Sequence, residues 1–453
     1  MNREANEMLT RVGPGTPMGE LFRRFWLPAL LSSEVGRDSP PVRIRILSED
    51  LLAFRDSSGR LGIVDAYCSH RGAPLYFGRN EDDGLRCPYH GWKFDVRGNC
   101  LDQPNVTVAG DRDAGATRKA AAIKSYATRE AGGVVWIYMG PSAFMPELPA
   151  FEWTAVPEGY RHISRWVQRS NWAQGMEGEI DTAHISWLHK EFVPGHVIQS
   201  AGADHGADGA PKLALRETDY GFVYGARRTV GDQYLWRVTQ WMLPMFSLIP
   251  KAPDEVFTVG GGRAWVPIDD NHTTTFCYWY RVDRPYTNAE VADLESGFLF
   301  PPRLERGRFA LPHGYSIDTF LPIANLSNDY LIDRVHQKTA NFTGIRGANE
   351  QDRAVQEGMR SIGTNAHGTV DRTRERLVAS DLAIVTARRR LLKLAEDLQN
   401  GVEPAPRLQA EQFRVRAISR LCQIEDFDEL MRRYGDSARA PACFRTRPSL
   451  SQS

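Results

Sequence analysis

Between Asn171 and His189 the chain reads N-W-A-Q-G-M-E-G-E-I-D-T-A-H-I-S-W-L-H. That stretch gathers Glu177, Glu179, Asp181, His184 and His189 within about five helical turns. On a helix, Glu177, Asp181, His184 and Leu188 follow one another at steps of four, three and four, so they share a face. His189 comes five residues after His184 and lies about 140° further round the axis. Both imidazoles can meet one ion only if the helix ends or bends between them. The H-E-x-x-H pattern of a zinc protease helix is absent. An amphipathic helix with satisfied, buried histidines is the plain reading of such a segment. Against it, Trp172, Ile180, Ile185, Trp187 and Leu188 would draw the acids and imidazoles inward, and buried charge is costly unless paired or metal-bound. Two histidines and one carboxylate with open positions suit a mononuclear non-heme Fe(II) centre. The stretch by itself leaves both readings open.

A second constellation lies about a hundred residues upstream. C-S-H-R-G-A-P-L at 68–75 and C-P-Y-H-G-W at 87–92 give Cys68-x-His70 and, after sixteen intervening residues, Cys87-x-x-His90. Each loop offers one thiolate and one imidazole, whereas a zinc finger places its Cys pair and its His pair on separate elements. A mixed four-ligand zinc site is the chemical alternative. The favoured reading is a Rieske [2Fe–2S] centre, with two Cys on one iron and two His on the other, which raises the potential above that of an all-Cys cluster. Gly72, Pro74, Pro88 and Gly91 suit tight loops whose backbone approaches the sulfides. Cys100, Cys277, Cys422 and Cys443 have no partner spacing and read as ordinary thiols.

These residues need a scaffold, and the rest of the chain describes one. With 453 residues, 42% apolar and 25% charged, it is long enough for two domains, or one small and one large. Fifty-six basic residues balance fifty-six acidic ones, so bulk charge gives no pull toward nucleic acid or an anionic membrane. Apolar runs are too short to span a bilayer, the start M-N-R-E-A-N-E-M-L-T-R has no secretory pattern, and the expectation is a cytoplasmic protein with reduced thiols. Residues 1–39 suggest a helical segment, at Asn6–Arg11 and Met18–Trp26. Residues 40–140 read as a small all-β unit, with β-rich runs broken at Asp56-Ser57-Ser58-Gly59 and Arg97-Gly98-Asn99. After a Pro-rich linker, 141–453 forms the larger unit. Alternating runs between 212 and 282 predict an antiparallel sheet, and helices are predicted over Asn349–Arg360 and from Ser380 to Asn400-Gly401.

C-S-H-R-G-A, C-P-Y-H-G-W and E-G-x-x-D-x-x-H-x-x-x-x-H together resemble the α subunit of Rieske non-heme iron ring-hydroxylating oxygenases, over nearly the whole chain. The 171–184 segment and D-R-V-H-Q-K-T-A-N-F-T-G-I-R-G-A-N-E-Q-D-R-A look most like the phthalate 4,5-dioxygenase group, with halobenzoate and phenoxybenzoate oxygenases. The resemblance implies an α+β chain, in which a small all-β Rieske domain precedes a catalytic domain of twisted antiparallel sheet covered by helices. It implies that Cys68, His70, Cys87 and His90 hold the cluster. It further implies that His184, His189 and Asp352, with Glu350 as fallback, hold mononuclear Fe(II). Asp181 would bridge His184 to His90 of a neighbouring subunit, with Asn171 and Glu177 in support. A homo-oligomer follows, a trimer or stacked trimers. NADH would deliver electrons through a separate flavin/iron-sulfur reductase, and O2 would be the co-substrate. The implied reaction is cis-dihydroxylation of an aromatic carboxylate, phthalate or a related benzoate. A monooxygenase or O-demethylase with the same metals is the enzyme alternative, and an electron carrier is the non-enzyme one. An aromatic carboxylate needs a cation, and Arg227, Arg228, Arg237 and Arg263 on or near the strands are the candidates.

Overall fold

The structure, a computed structural model, describes residues 1–106, 111–191, 208–251, 253, 256–360, 369–404 and 408–442. Cys443 lies outside them. In the first unit a six-stranded antiparallel sheet runs in the order β1-β10-β9-β4-β3-β2. Its strands are β1 (Trp26–Leu31), β2 (Val42–Ile46), β3 (Glu49–Arg55), β4 (Leu61–Asp65), β9 (Ser125–Ala131) and β10 (Val134–Tyr138). Short strands β5 (Arg79–Glu81), β6 (Gly84–Arg86), β7 (Lys93–Phe94) and β8 (Cys100–Asp102) form a second, four-stranded sheet. Leu52, Phe54, Val64, Leu75, Leu85 and Phe94 make the core against which Cys68 and Cys87 are buried.

The N-terminal boundary of this unit differs from the expected residue 40. W-L-P-A-L-L is apolar on both faces, as a strand covered on both sides must be, and Trp26–Leu31 pairs with β10. Pro28 is tolerated because the register shifts between Pro28 and Leu30. Helices Arg3–Thr10 and Pro17–Arg23 precede it, each capped by a side chain, Asn2 accepting from the Ala5 amide and Thr16 from that of Gly19.

The larger unit is built on an eight-stranded antiparallel sheet: β11 (Arg161–Gln168), β12 (Lys212–Thr218), β13 (Gly221–Val230), β14 (Gln233–Met242), β15 (Phe246–Leu248), β16 (Val259–Pro267), β17 (Thr273–Arg281) and β20 (Ile418–Cys422). A separate hairpin joins β18 (Leu304–Ala310) to β19 (Ser316–Pro322). Helix Trp172–Ile180 lies on the sheet against β15 and β16. It buries Trp172, Met176 and Ile180, each side chain contributing about 1.5–3 kcal/mol. Gly175 lets it come that close, because a Cβ there would overlap the Trp265 indole. Helix Ala348–Gly358 packs on Trp172–Ile180, and Leu382–Gln399 covers both it and the two N-terminal helices. Among the described residues no helix is long and apolar enough to cross a membrane.

Candidate metal centres and their cavity

The two Cys–His loops have matching backbone geometry. The Cys68 amide donates to Ala73 O at 2.9 Å and that of Gly72 to Cys68 O at 2.9 Å. In the second loop the Cys87 amide donates to Trp92 O at 2.8 Å and that of Gly91 to Cys87 O at 3.1 Å. Gly72 and Gly91 take φ of +68° and +75°, the left-handed region that closes each loop. The loops present two buried thiols side by side and two imidazoles with ring centroids 4.5 Å apart. Trp92 stacks on His70 at 4.5 Å, its indole N–H donating to Asn105 at 2.7 Å. Burial, with the neighbouring Cys87 thiol adding, pushes the Cys68 thiol up to about 11. His70 Nδ1 is buried with no hydrogen-bond partner. Two crowded thiols and an orphaned ring nitrogen are costly on their own and fit a bound [2Fe–2S] cluster.

The second constellation is made by a break in the helix rather than by one continuous face. Trp172–Ile180 ends at Asp181, whose backbone is extended. The Asp181 side chain accepts from the Ala183 amide at 2.7 Å, a local turn that competes with the helix. Arg228 holds the Thr182 carbonyl at 2.5 Å. One short turn, Ile185–Leu188, then separates His184 from His189. That departs from the single face expected for Glu177, Asp181, His184 and Leu188, and it lets two imidazoles five residues apart converge.

His184, His189 and Asp352 offer ligand atoms that all lie within 4.8 Å of one another. Asp352 Oδ1 is 3.5 Å from His184 Nε2 and 3.3 Å from His189 Nε2. Asp181 Oδ2 is 3.5 Å from His184 Nδ1, and the Gln351 amide oxygen is 2.6 Å from His189 Nδ1. Burial opposes ionisation of Asp352, yet His189, His184 and Arg263 outweigh it and hold the carboxyl below its usual range. Burial likewise disfavours a charged His184, but Asp181 and Asp352 raise it above the ordinary imidazole value. Two imidazoles and one carboxylate on one side of an open cavity match a facial Fe(II) donor set. Glu350 points elsewhere: buried next to Gly347, it is raised to about 7, chiefly by burial.

The triad opens into a cavity of about 240 Å³ walled by Tyr224, Arg237, Lys251, Arg263, Trp279 and Phe300. A cavity of about 150 Å³ already accommodates a benzene ring.

Several sequence candidates lie apart from this site. Asn171 is an N-cap, accepting from the Ala173 amide and donating to the carbonyls of Thr10 and Asp270. Glu177 faces Arg372 and Arg388, away from His184, in a buried ion network. Arg227 pairs with Glu425 at 2.8 Å over the Tyr234 ring. Arg228 is spent on the Thr182 turn. Arg263 does wall the cavity, but its charge is taken by Glu179. Arg237 alone of the four reaches the cavity with no hydrogen bond or ion pair among the described residues. Lys251 and Gln351 escaped the sequence reading. Lys251 lies over the Trp279 ring and, like Arg237, has no carboxylate partner among the described residues. Only the adjacency of Gln351 to Asp352 hinted at that residue.

A Rieske-type cluster site followed by a facial-triad site on a sheet-and-helix domain defines the class as a Rieske non-heme iron oxygenase. Comparison with known proteins agrees. Residues 25–126 match the Rieske [2Fe-2S] domain, and residues 137–419 match the "LigXa C-terminal domain like" family. The 3-chlorobenzoate-3,4-dioxygenase oxygenase subunit of Comamonas testosteroni is 38% identical, over 90% of this chain and 92% of that protein. The phthalate 4,5-dioxygenase oxygenase subunit of Pseudomonas putida is 37% identical over 88% and 87%. The 5,5'-dehydrodivanillate O-demethylase oxygenase subunit of a Sphingobium species is 32% identical over 89% and 82%. In fold, dicamba monooxygenase bound to dicamba superposes with a TM-score of 0.55 at 18% identity, covering 84% of this chain and 98% of that one.

The chain belongs to the Rieske ring-hydroxylating oxygenases, with a LigXa-like catalytic domain. It is an oxidoreductase, the terminal oxygenase of a multicomponent system, with a Rieske [2Fe–2S] cluster and mononuclear iron; O2 and electrons from NADH through a reductase are typical of the family.

Proposed function

We propose that the substrate is an aromatic carboxylate, phthalate or a related benzoate, whose acid group is held by Arg237 in the cavity beside His184, His189 and Asp352. The Arg237 guanidinium, without a partner among the described residues, carries this reading. Burial, with Arg228 adding, lowers it to about 10, and burial lowers Lys251 well below an ordinary lysine, Arg237 adding to this. A bound carboxylate relieves both, and a guanidinium grips it bidentately. Trp279 and Phe300 add apolar surface to the cavity wall for the ring.

Cys68, His70, Cys87 and His90 hold the cluster, and His184, His189 and Asp352 hold the iron. The cluster supplies single electrons, and the iron supplies O2 activation. Asp181 fixes the tautomer of His184 by accepting from Nδ1, which leaves Nε2 toward Asp352. The same carboxylate bridges to His90 of a second copy, which makes the working form a homo-oligomer, a trimer or stacked trimers. Two exposed apolar patches support that arrangement. Tyr89 (56% exposed) lies against His90, ring centroids 3.9 Å apart, and shares a surface patch with Phe77 (70%), while Trp187 (56%) and Phe342 (46%) flank His184. The location is proposed to be cytoplasmic. The favoured outcome is cis-dihydroxylation, while the O-demethylase relative favours single oxygenation as the second reading.

The test is anaerobic loading with Fe(II), addition of a phthalate-type reductase and NADH, and O2 uptake across a panel of aromatic acids. Dependence of uptake on one such acid is expected. No response to any of them, with cluster and iron intact, overturns the substrate assignment.

A further inference from the structure

We propose that Gln351 is a positioning residue that sets the orientation and donor strength of His189. The inference rests on His189 being an iron ligand. Gln351 and Asp352 are consecutive on helix Ala348–Gly358, about 100° apart round its axis, and they address opposite edges of one imidazole. Asp352 Oδ1 faces Nε2 at 3.3 Å, and Gln351 Oε1 faces Nδ1 at 2.6 Å. An amide oxygen only accepts, so Nδ1 must carry the proton and Nε2 is left as the bare donor atom.

The amide cannot turn round. Its Nε2 donates to Ile345 O at 2.8 Å, which fixes Oε1 toward His189. Ile345 O also receives Asn341 Nδ2 at 3.0 Å, and Asn341 Oδ1 accepts from the Gly344 amide at 2.6 Å, so the 341–345 turn is itself rigid. The same turn grips the chain just beyond His189, where the Phe342 amide donates to Lys190 O at 2.9 Å and Glu191 bridges Asn341. Gln351 is only 1% exposed, so its amide is held by protein contacts rather than by bulk solvent. The two imidazoles are therefore backed differently, His184 by the Asp181 carboxylate and His189 by a neutral amide. A carboxylate acceptor makes an imidazole the more basic ligand, so the neutral amide leaves His189 the weaker donor of the pair.

The test titrates Fe(II) into cluster-loaded, iron-depleted protein, with the cluster spectrum as the check on folding. Gln351→Met keeps the length and removes the acceptor. It is expected to weaken Fe(II) binding by about 10- to 100-fold. Gln351→Glu keeps an acceptor at Nδ1 and is expected to bind Fe(II) at least as tightly as the parent, with a changed EPR signature of the nitric oxide adduct. Binding by Gln351→Met within twofold of the parent, or equal loss in both variants, overturns the proposal. Should Gln351→Met not assemble its cluster, loss of Fe(II) binding by Gln351→Glu overturns it alone. His189→Ala separates the two levels of inference, because Fe(II) binding that survives there refutes the ligand assignment rather than the role of Gln351.

Discussion

Replacing Glu177 by Gln should cost about 3 kcal/mol of stability and leave the oxygenase chemistry nearly untouched. Glu177 is buried, and both of its oxygens are held by Arg372 at 3.2 and 3.0 Å and by Arg388 at 2.8 and 2.9 Å. The Arg372 side chain is fully buried and that of Arg388 nearly so. Removing one partner of a buried ion pair typically costs about 3–5 kcal/mol, because the other charge is left without compensation. Two contacts soften the loss: Arg388 keeps Glu375, and Arg372 keeps Asn6 Oδ1 at 3.2 Å. Gln also retains one acceptor oxygen, so the low end applies. Burial opposes the Glu177 charge, but the two guanidinia win and hold the carboxyl below its usual range. Its contribution is therefore complete above the unfolded value of about 4.3 and is lost as pH falls through the lower folded value. Urea unfolding of parent and Glu177→Gln at pH 7 and near pH 3 reads both effects, and the gap between the proteins should narrow in acid. Equal stability at pH 7 would refute the ion-network account. Unchanged stability with slowed transfer of electrons from cluster to iron would return Glu177 to the supporting role beside Asp181 that the family resemblance implied.

Other substitutions separate the remaining roles. Arg237→Met should lower kcat/KM for the cognate acid by about 10- to 100-fold, since a hydrogen bond to a charged group contributes about 1.5–3 kcal/mol, while iron content stays at the parent level. Arg227→Met, whose side chain lies outside the cavity, should change kcat/KM by less than twofold in the same assay. Asp181→Asn should keep both the cluster spectrum and Fe(II) and slow reoxidation of the cluster in a stopped-flow single turnover. Normal reoxidation in that variant would remove Asp181 from the electron route.

Legibility followed sequence distance. The cluster site was readable because each loop holds its Cys, its His and its closing Gly within a few residues, so the motif is local. The two histidines stood out for the same reason, but the stretch alone left a helix with satisfied histidines open, and their assignment to iron, like that of Asp352 on a helix 163 residues beyond His189, needed a family resemblance. The break at Asp181 was hidden because no Pro marks it. It depends on an aspartate turning back on its own backbone and on Arg228 reaching in from β13. The arginines could not be sorted either. Whether a guanidinium is free depends on Glu425, Thr182 and Glu179, which only folding brings close. Strand β1 was missed because a short run apolar on both faces has no period to distinguish it from a buried helix end.

Iron counting in paired variants tests the assignment of the two centres most directly. Mössbauer spectra of the parent, loaded with 57Fe, should show two cluster irons and one separate high-spin Fe(II) per chain. Asp352→Ala should lose only the separate iron, and His70→Ala only the cluster signature. Retention of the separate iron in Asp352→Ala, or its loss together with the cluster in either variant, would contradict the account.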